Sequence, residues 1–217
     1  KLGHLVQRIL KLTPNLQRLR LSSIDAIELD PLLFELVTTH ERVAPHLHLS
    51  LQHGDDLILK RMKRRHSRND AIELCARLKA ARPEIALGAD LIAGFPTESE
   101  AAFANTLSLI EACGLAYVHA FPFSPRQGTP AARMPQLDRA VVKERAAQMR
   151  AAGERALARH LDRWIGREGE ALIEREGFAR LPDFTSVRLI EPPPRAGGCA
   201  RLRFTAHDGA QLTGVAA

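Results

Sequence analysis

The feature that most constrains the fold is the alternation of helical and strand patterns between Leu2 and about Phe121. Apolar residues recur at helical spacing in residues 2–10, and a second helix is predicted from Asp30-Pro31, an N-cap followed by proline at the first helical position. Strands are predicted in residues 16–21, 46–51, 85–92 and 116–121, and the leucines of residues 46–51 are expected to share one face. This alternation predicts βα units around a parallel sheet.

Capping patterns mark where the next helices begin. Ser67 and Asp70 have the spacing of a capping box, and the same spacing relates Thr97 to Glu100. Asp138 precedes a long helix rich in alanine and arginine. Each of the three sites is therefore a predicted helix N-terminus.

Two changes in the sequence pattern divide the chain into segments. Prolines and glycines after Pro122 produce an irregular loop, the long helix follows, and beyond it short β-like runs alternate with turns. His207-Asp208-Gly209 is a candidate hairpin turn. The sequence thus predicts an α/β domain in residues 1–137, a connecting helix in residues 138–164 and a small all-β barrel in residues 165–217.

Composition restricts the classes of protein that remain. Hydrophobic residues make up 45% and charged residues 26% of the 217 residues, and no apolar run approaches the roughly 20 residues that span a bilayer. The chain is therefore expected in the cytoplasm, without a membrane partner. Its net charge of +6 favours a polyanionic partner.

Neither the cysteines nor the histidines form a recognisable metal motif. Cys75, Cys113 and Cys199 are far apart in sequence, as expected of reduced thiols, and the first two are predicted to be small buried residues. His46 and His48 could form half a site on one strand face, but no carboxylate or cysteine stands at ligand spacing. No metal site is predicted.

One basic run stands out. The segment between Leu57 and Asn69 has no acidic residue and carries Lys60, Arg61, Lys63, Arg64, Arg65 and Arg68. Such a run could neutralise RNA phosphates, or it could be a solvated basic face. In the predicted barrel, residues 165–217, seven arginines balance seven acidic residues, so RNA binding there would need a local face, with Phe178 or Phe184 stacking on a base and Arg180 or Arg188 touching phosphates.

Four stretches in order, residues 18–24, 46–56, 88–98 and 123–131, resemble the strand ends and loops of the radical-SAM methylthiotransferases. The last fifty or so residues resemble the RNA-binding TRAM barrel that ends those enzymes. Residues 59–66 and His207-Asp208-Gly209 look most like the branch that methylthiolates N6-threonylcarbamoyladenosine at tRNA position 37. The resemblance implies the later half of a partial (β/α) barrel followed by a small barrel, and tRNA, through its anticodon stem-loop, as the partner.

The resemblance also implies cofactor contacts at the carboxyl ends of the strands. In the family S-adenosylmethionine lies across that face, which would bring Ser23, Gln52 and Asp90 to its polar groups and Ile92 and Phe121 to its adenine. Arg126, in a loop stiffened by proline and glycine, could bind a carboxylate or phosphate through paired hydrogen bonds. These six residues are the predicted cofactor-binding set.

The chain departs from the family in its cysteines. Complete members carry two 4Fe-4S clusters held by cysteine motifs that this sequence lacks, so we expect an amino-terminal part of the same protein elsewhere, and neither bound cofactors nor catalytic residues in this piece. An exposed sheet edge would then permit dimerisation. The alternatives are a non-catalytic RNA-binding protein and a sister methylthiotransferase that acts on isopentenyladenosine in tRNA or on a ribosomal protein.

Overall fold

A computed structural model describes residues 1–190 and 196–217. Two compact units make up the chain, Lys1–Gly153 and Glu154–Ala217. Glu191 and Arg195, which contribute to the charge balance of residues 165–217, lie outside the described ranges. No helix within those ranges is both long and apolar enough to cross a membrane.

The first unit alternates helices and strands, as predicted. Its elements are α1 (Leu2–Leu12), β1 (Leu19–Ile24), α2 (Pro31–Thr39), β2 (Val43–Gln52), α3 (Asp56–Arg61), α4 (Arg68–Ala81), β3 (Ala86–Ala93), α5 (Glu100–Ala112) and β4 (Tyr117–Pro122). The four strands pair in parallel in the order β1-β2-β3-β4. This open parallel sheet with its helices confirms the predicted part of a (β/α) barrel.

The leucines of β2 lie on one face of the sheet, as expected. Leu47, Leu49 and Leu51 are fully buried. The opposite face is polar but not freely solvated, since His46 is 4% and His48 6% exposed. A Cβ on Gly88 of β3 would lie 2.7 Å from His48 Nδ1, so the glycine makes room for the histidine ring.

Two of the predicted capping residues act as predicted. Asp30 caps α2 by accepting a hydrogen bond from the Leu33 amide at 3.0 Å. Ser67 and Asp70 form a complete capping box at the start of α4. Both helices therefore begin where the sequence indicated.

The capping box predicted for Thr97 and Glu100 is wrong. Ser99 caps α5 instead and accepts from the Ala102 amide at 3.1 Å, while Thr97 adopts a left-handed backbone with φ 69°. The loop after β3 turns at Thr97, three residues before the helix begins. Glu100 consequently becomes the first helical residue and is free to bond elsewhere.

The first strand begins at Leu19, three residues later than residues 16–21 would give. The side chain of Arg42 donates hydrogen bonds to the carbonyl oxygens of Thr13 and Leu16. Those contacts hold the chain after α1 in a loop, because a strand would have needed the same carbonyls for a ladder.

The long helix α6 (Arg139–Asp162) leads into the second unit, which holds β5 (Glu168–Arg175), β6 (Phe178–Arg180), β7 (Ser186–Leu189), β8 (Cys199–His207) and β9 (Leu212–Ala216). These strands close into a barrel in the order β5-β6-β7-β9-β8, which confirms the predicted all-β barrel. The three-residue strand β6 was not predicted, because it is too short to show alternation.

The barrel interior is apolar, and its last hairpin is tightly turned. Phe204 is fully buried and meets the ring of Trp164 edge-on at 5.5 Å between centroids. Between β8 and β9, Asp208 Oδ1 accepts hydrogen bonds from the amides of Ala210 and Gln211, and Gly209 has φ 91°. The turn predicted at residues 207–209 is confirmed.

Candidate functional site

The polar face of the sheet gathers side chains from three neighbouring strands. Asp90 of β3 pairs in register with His119 of β4, and Ile92 pairs with Phe121 two residues further on. His48 of β2 reaches the same face, with its Nε2 2.9 Å from Asp90 Oδ1. About half of the Phe121 ring surface is exposed, so this face is open to a ligand.

Asp90 is held by two histidines through a single oxygen. His119 Nδ1 lies 3.1 Å from the same Oδ1 that meets His48, and the two rings are 4.6 Å apart. Asp90 Oδ2 has no hydrogen-bond partner among the described residues. The carboxylate is therefore oriented by its neighbours, with one oxygen available to an incoming donor.

A carboxylate lies beside His48, although none stands at ligand spacing from it in the sequence. His48, Asp90 and His119 place three potential ligand atoms within 4.8 Å of one another, a set that could hold a metal ion. The partner of His48 is not His46 on its own strand but a residue 42 positions away on the next strand. Sequence spacing along one strand carries no signal of such a contact.

Two strand-end residues have left-handed backbones. Ser23 has φ 55° and Gln52 has φ 66°, which costs a residue other than glycine on the order of 1 kcal/mol or more. Backbone strain of this kind clusters at ligand sites. Gln52 also lines a cavity of about 340 Å³ together with Ile92 and Phe95.

The structure thus brings together four of the six predicted cofactor residues. Asp90, Ile92 and Phe121 share the polar face, and Gln52 shares a cavity with Ile92. Ser23 contacts only the neighbouring hydroxyl of Ser22, at 3.5 Å, among the side-chain hydrogen bonds described. The sixth, Arg126, is exposed in the loop after β4, with no side-chain hydrogen bond or ion pair in the described ranges.

A buried ionic network that the sequence did not reveal lies beneath the loop after β3. The Glu98 side chain is fully buried, and its Oε2 accepts from the Gly94 amide and from His53 Nε2, both at 3.0 Å. Its Oε1 accepts from Arg145 Nη1 at 2.7 Å. Glu98 thereby joins the loop after β3, the end of β2 and the helix α6.

Arg145 stays charged in this network despite its burial. Loss of hydration disfavours its charged form, but hydrogen bonds with Glu100 and Glu98 outweigh that effect and raise the pKa of the guanidinium. Its Nη2 bonds to the exposed carboxylate of Glu100. The cation is therefore shared between one buried and one solvated carboxylate.

The basic run divides into two groups. Arg64 donates to Ser50 O at 2.7 Å and to Asp25, and Arg68 donates to the carbonyl oxygens of Gly54 and Asn105. These two arginines tie the loops of the first unit together.

The other cations of the run face outward. Arg61 donates to the hydroxyl of Thr97 and lines the cavity beside Gln52. Lys60, Lys63 and Arg65 are exposed and make no side-chain hydrogen bond or ion pair within the described residues. They are the members of the run whose charges are available to a partner.

The four residues predicted to touch RNA on the barrel lie together on β6, β7 and the intervening turn. The Arg180 guanidinium lies 5.3 Å from the ring centroid of Phe178 and 4.4 Å from that of Phe184. Arg180 also pairs with Glu174 at 2.7 Å, and Arg188 stands opposite Phe178 in the strand register. The result is a partly exposed patch in which the Arg180 guanidinium lies close to two aromatic rings.

The cysteines do not suit an iron–sulfur cluster, which needs several thiolates around one point. Cys75 and Cys113 are both buried free thiols, and the hydrogen bond between them, together with burial, raises the pKa of Cys75. Cys199 is exposed on the barrel strand β8. No group of three cysteines converges within the described ranges.

Comparison with known proteins gives a consistent class. Residues 8–110 match the family model of the Radical SAM superfamily. Coproporphyrinogen III oxidase from Escherichia coli, a radical SAM enzyme, superposes with a TM-score of 0.57 over 71% of this chain and 37% of its own, at 15% sequence identity. The parallel sheet and these matches define the first unit as a radical SAM domain.

Two curated relatives narrow the assignment. The threonylcarbamoyladenosine tRNA methylthiotransferase of Rickettsia prowazekii is 52% identical over 86% of this chain. The tRNA-2-methylthio-N(6)-dimethylallyladenosine synthase of Ruegeria pomeroyi is 35% identical over 92% of it. The chain is thus similar to tRNA methylthiotransferases over most of its own length, and it spans 44% and 47% of the lengths of these two relatives.

Proposed function

We propose that this chain forms part of a tRNA methylthiotransferase whose substrate is N6-threonylcarbamoyladenosine at position 37, next to the anticodon. The observation that carries the proposal is the difference between the two relatives. Identity is 52% to the threonylcarbamoyladenosine enzyme and 35% to the dimethylallyladenosine enzyme. If the chain acted on dimethylallyladenosine instead, we would expect its identity to the second relative to be at least as high as its identity to the first.

We assign the polar face of the first unit to S-adenosylmethionine, because its donors suit a nucleoside. The free oxygen of Asp90 and the amide of Gln52 are partners for ribose hydroxyl groups, and Ile92 and Phe121 offer apolar surface to an adenine. Reductive cleavage of one molecule of this cofactor would supply the hydrogen-abstracting radical, and a second, uncleaved molecule would supply the methyl group. The role of the chain is to bind it and to fix its orientation.

Ser23 and Arg126, the other two predicted cofactor contacts, are assigned narrower roles. Ser23, one residue before the end of the neighbouring strand β1, has a left-handed conformation, which suits a backbone that turns toward a ligand. The side chain of Arg126 is free to bind a carboxylate. We assign no cluster to the cysteines of this chain, because the three thiols do not converge.

Two surfaces are assigned to RNA. Lys60, Lys63 and Arg65 supply charges that no acidic residue within the described ranges neutralises, and the patch of Phe178, Arg180, Phe184 and Arg188 supplies aromatic rings on which bases can stack. Arg64 and Arg68 are assigned to the stability of the fold, with any contact to phosphate secondary.

The test is nucleoside analysis of tRNA. The complete protein containing this chain is expressed in a bacterial strain that lacks its own threonylcarbamoyladenosine methylthiotransferase, and tRNA digests are examined by liquid chromatography and mass spectrometry. We expect the methylthio group on threonylcarbamoyladenosine and no change in dimethylallyladenosine. A methylthio group on the latter nucleoside would refute the substrate assignment, and its absence from both would favour a non-catalytic RNA-binding protein.

A variant in the same strain tests the cofactor assignment. Asp90→Asn keeps the size of the side chain and removes the charge, so we expect at least a ~10-fold loss of modification, since a charge-assisted hydrogen bond contributes about 1.5–3 kcal/mol. Asp56→Asn, on the exposed start of α3, is the matched control. Full modification by the Asp90 variant would refute the assigned role.

A further inference from the structure

A groove beside the loop after β4 is lined by a row of cations that have no ion-pair partner among the described residues. It has a volume of about 820 Å³ and runs between that loop and the amino-terminal half of α6. Arg139, Lys143 and Arg150 line it, and all three are exposed. Their side chains make no hydrogen bond or ion pair within the described residues.

The spacing of these residues puts them on one side of the helix. Positions 139, 142, 143, 146 and 150 follow the three- and four-residue spacing of a helix face, and all of them line the groove. At 1.5 Å per residue the cations span about 16 Å along α6. Nucleic-acid strands in a duplex carry a phosphate about every 3.4 Å, so the row is long enough to meet several.

The floor of the groove is apolar, in contrast to its rim. Phe123 and Pro125 come from the loop after β4, and Val142 and Ala146 come from α6. Phe123 is half-buried and packs edge-on against Phe95 at 5.1 Å between centroids. An aromatic ring fixed in this way offers a flat surface on which a base can stack.

The groove is also built rigidly. A Cβ on Gly94 would lie 2.6 Å from a methyl group of Val142, so α6 rests directly on the backbone of the loop after β3. Arg145, three residues after Val142 on α6, is held by the buried Glu98. The walls therefore need little reordering to receive a ligand, which limits the entropy lost on binding.

We propose that this groove is a docking site for a strand of the tRNA substrate, with phosphates along Arg139, Lys143 and Arg150 and a base on the floor at Phe123. The occupant follows from charge complementarity, because none of the groove's lining residues, all within the described ranges, is acidic. The inference rests on the proposed function, since it takes tRNA as the substrate. It adds a third RNA surface, separate from the basic run and from the barrel patch.

The experiment measures binding of a fluorescein-labelled tRNA transcript to the 217-residue chain by anisotropy, over a salt titration. Arg139→Glu/Lys143→Glu should weaken binding at least ~10-fold near 0.1 M salt and reduce the salt slope by about 1.5, because each phosphate contact contributes about 0.7–0.9 to that slope. Arg150→Glu alone should give about half of the slope change. Phe123→Leu should weaken binding at every salt concentration and leave the slope unchanged, because stacking on a ring is uncharged.

The matched control is Arg8→Glu/Lys11→Glu, which makes the same change of charge on exposed positions of α1. Its salt slope should fall by much less than that of the groove variant, and melting curves establish that every variant is folded. Equal effects of the two double variants would overturn the docking site, and so would unaltered binding by the groove variant or no tRNA binding by the parent chain. Failure of the proposed function would be detected separately, by the nucleoside analysis. If tRNA is methylthiolated but the groove variants bind tRNA normally, the proposed function is retained and only the docking site is refuted.

Discussion

Replacing Glu98 by glutamine exchanges one carboxylate oxygen for an NH₂ group. We expect this variant to destabilise the first unit more than an equally small change in any other side chain of the buried ionic network. The buried carboxylate accepts three hydrogen bonds, from Gly94, His53 and Arg145. Nδ1 of His53 accepts from the Asp55 amide at 3.1 Å, so the proton of the ring is on Nε2 and points at Glu98. All three partners of the carboxylate are therefore donors.

An amide cannot satisfy three donors from the same place. The oxygen of glutamine can keep Gly94 and His53, but its NH₂ group then faces the Arg145 guanidinium, donor against donor. The buried cation keeps the exposed carboxylate of Glu100 and the main-chain oxygen of residue 98, but it loses its buried carboxylate partner. Removing one member of a buried ion pair costs about 3–5 kcal/mol, and we expect Glu98→Gln to lie at the lower end because the amide retains two bonds.

Glu100→Gln is the control, since Glu100 bonds to the same guanidinium but its side chain is 85% exposed. Its cost should be at most about 1 kcal/mol. Urea unfolding followed by far-UV circular dichroism measures both variants. The fluorescence of Trp164, the only tryptophan, reports the second unit and gives an internal reference. Equal costs for the two variants would refute the reasoning.

Two further predictions concern other parts of the chain. Asp183 is buried, which opposes its ionisation, yet the hydrogen bond with His160 outweighs burial and lowers the pKa of the carboxyl. Its ionised form therefore stabilises the second unit fully above its ordinary pKa of 3.8 and loses that effect as the pH falls through the lower folded value. Asp183→Asn should lower the urea midpoint at pH 7, and the deficit should shrink below about pH 3.8, unlike a defect of packing. In thiol titration of the native chain, exposed Cys199 should react first and buried Cys75 only on unfolding, and fast reaction of all three would contradict the fold.

The sequence predicted the elements well because their signals are local. Helix caps at Asp30 and Ser67, and the leucine face of β2, each depend on residues within one turn or one strand. The capping box predicted at residues 97–100 was wrong because two possible N-caps lie within four residues. Thr97 and Ser99 are both acceptable caps, and only the path of the loop after β3 decides between them.

The contacts of the site were less predictable, because they join residues far apart in sequence. Asp90 could be named from the resemblance, but its two histidines come from adjacent strands, and strand order is not visible in a single strand. Glu98 and Arg145 are 47 residues apart. The sequence did show a carboxylate close to the glycine-containing loop after β3. Its spacing, however, did not distinguish the buried Glu98 from the exposed Glu100.

The same buried carboxylate connects stability to the shape of the proposed docking groove. Glu98 holds Arg145 on one side of α6, while Val142, three residues earlier, rests on Gly94 and lines the groove. If that contact loosens, the row of cations keeps its charge but loses its fixed position. Glu98→Gln should therefore weaken tRNA binding while leaving the salt slope near that of the parent, because the number of phosphate contacts is unchanged once RNA is bound. If the salt slope of Glu98→Gln instead falls as far as that of the charge-reversal variant, the Glu98–Arg145 network determines which cations reach the RNA. That result would refute the expectation that the network affects only the shape of the groove.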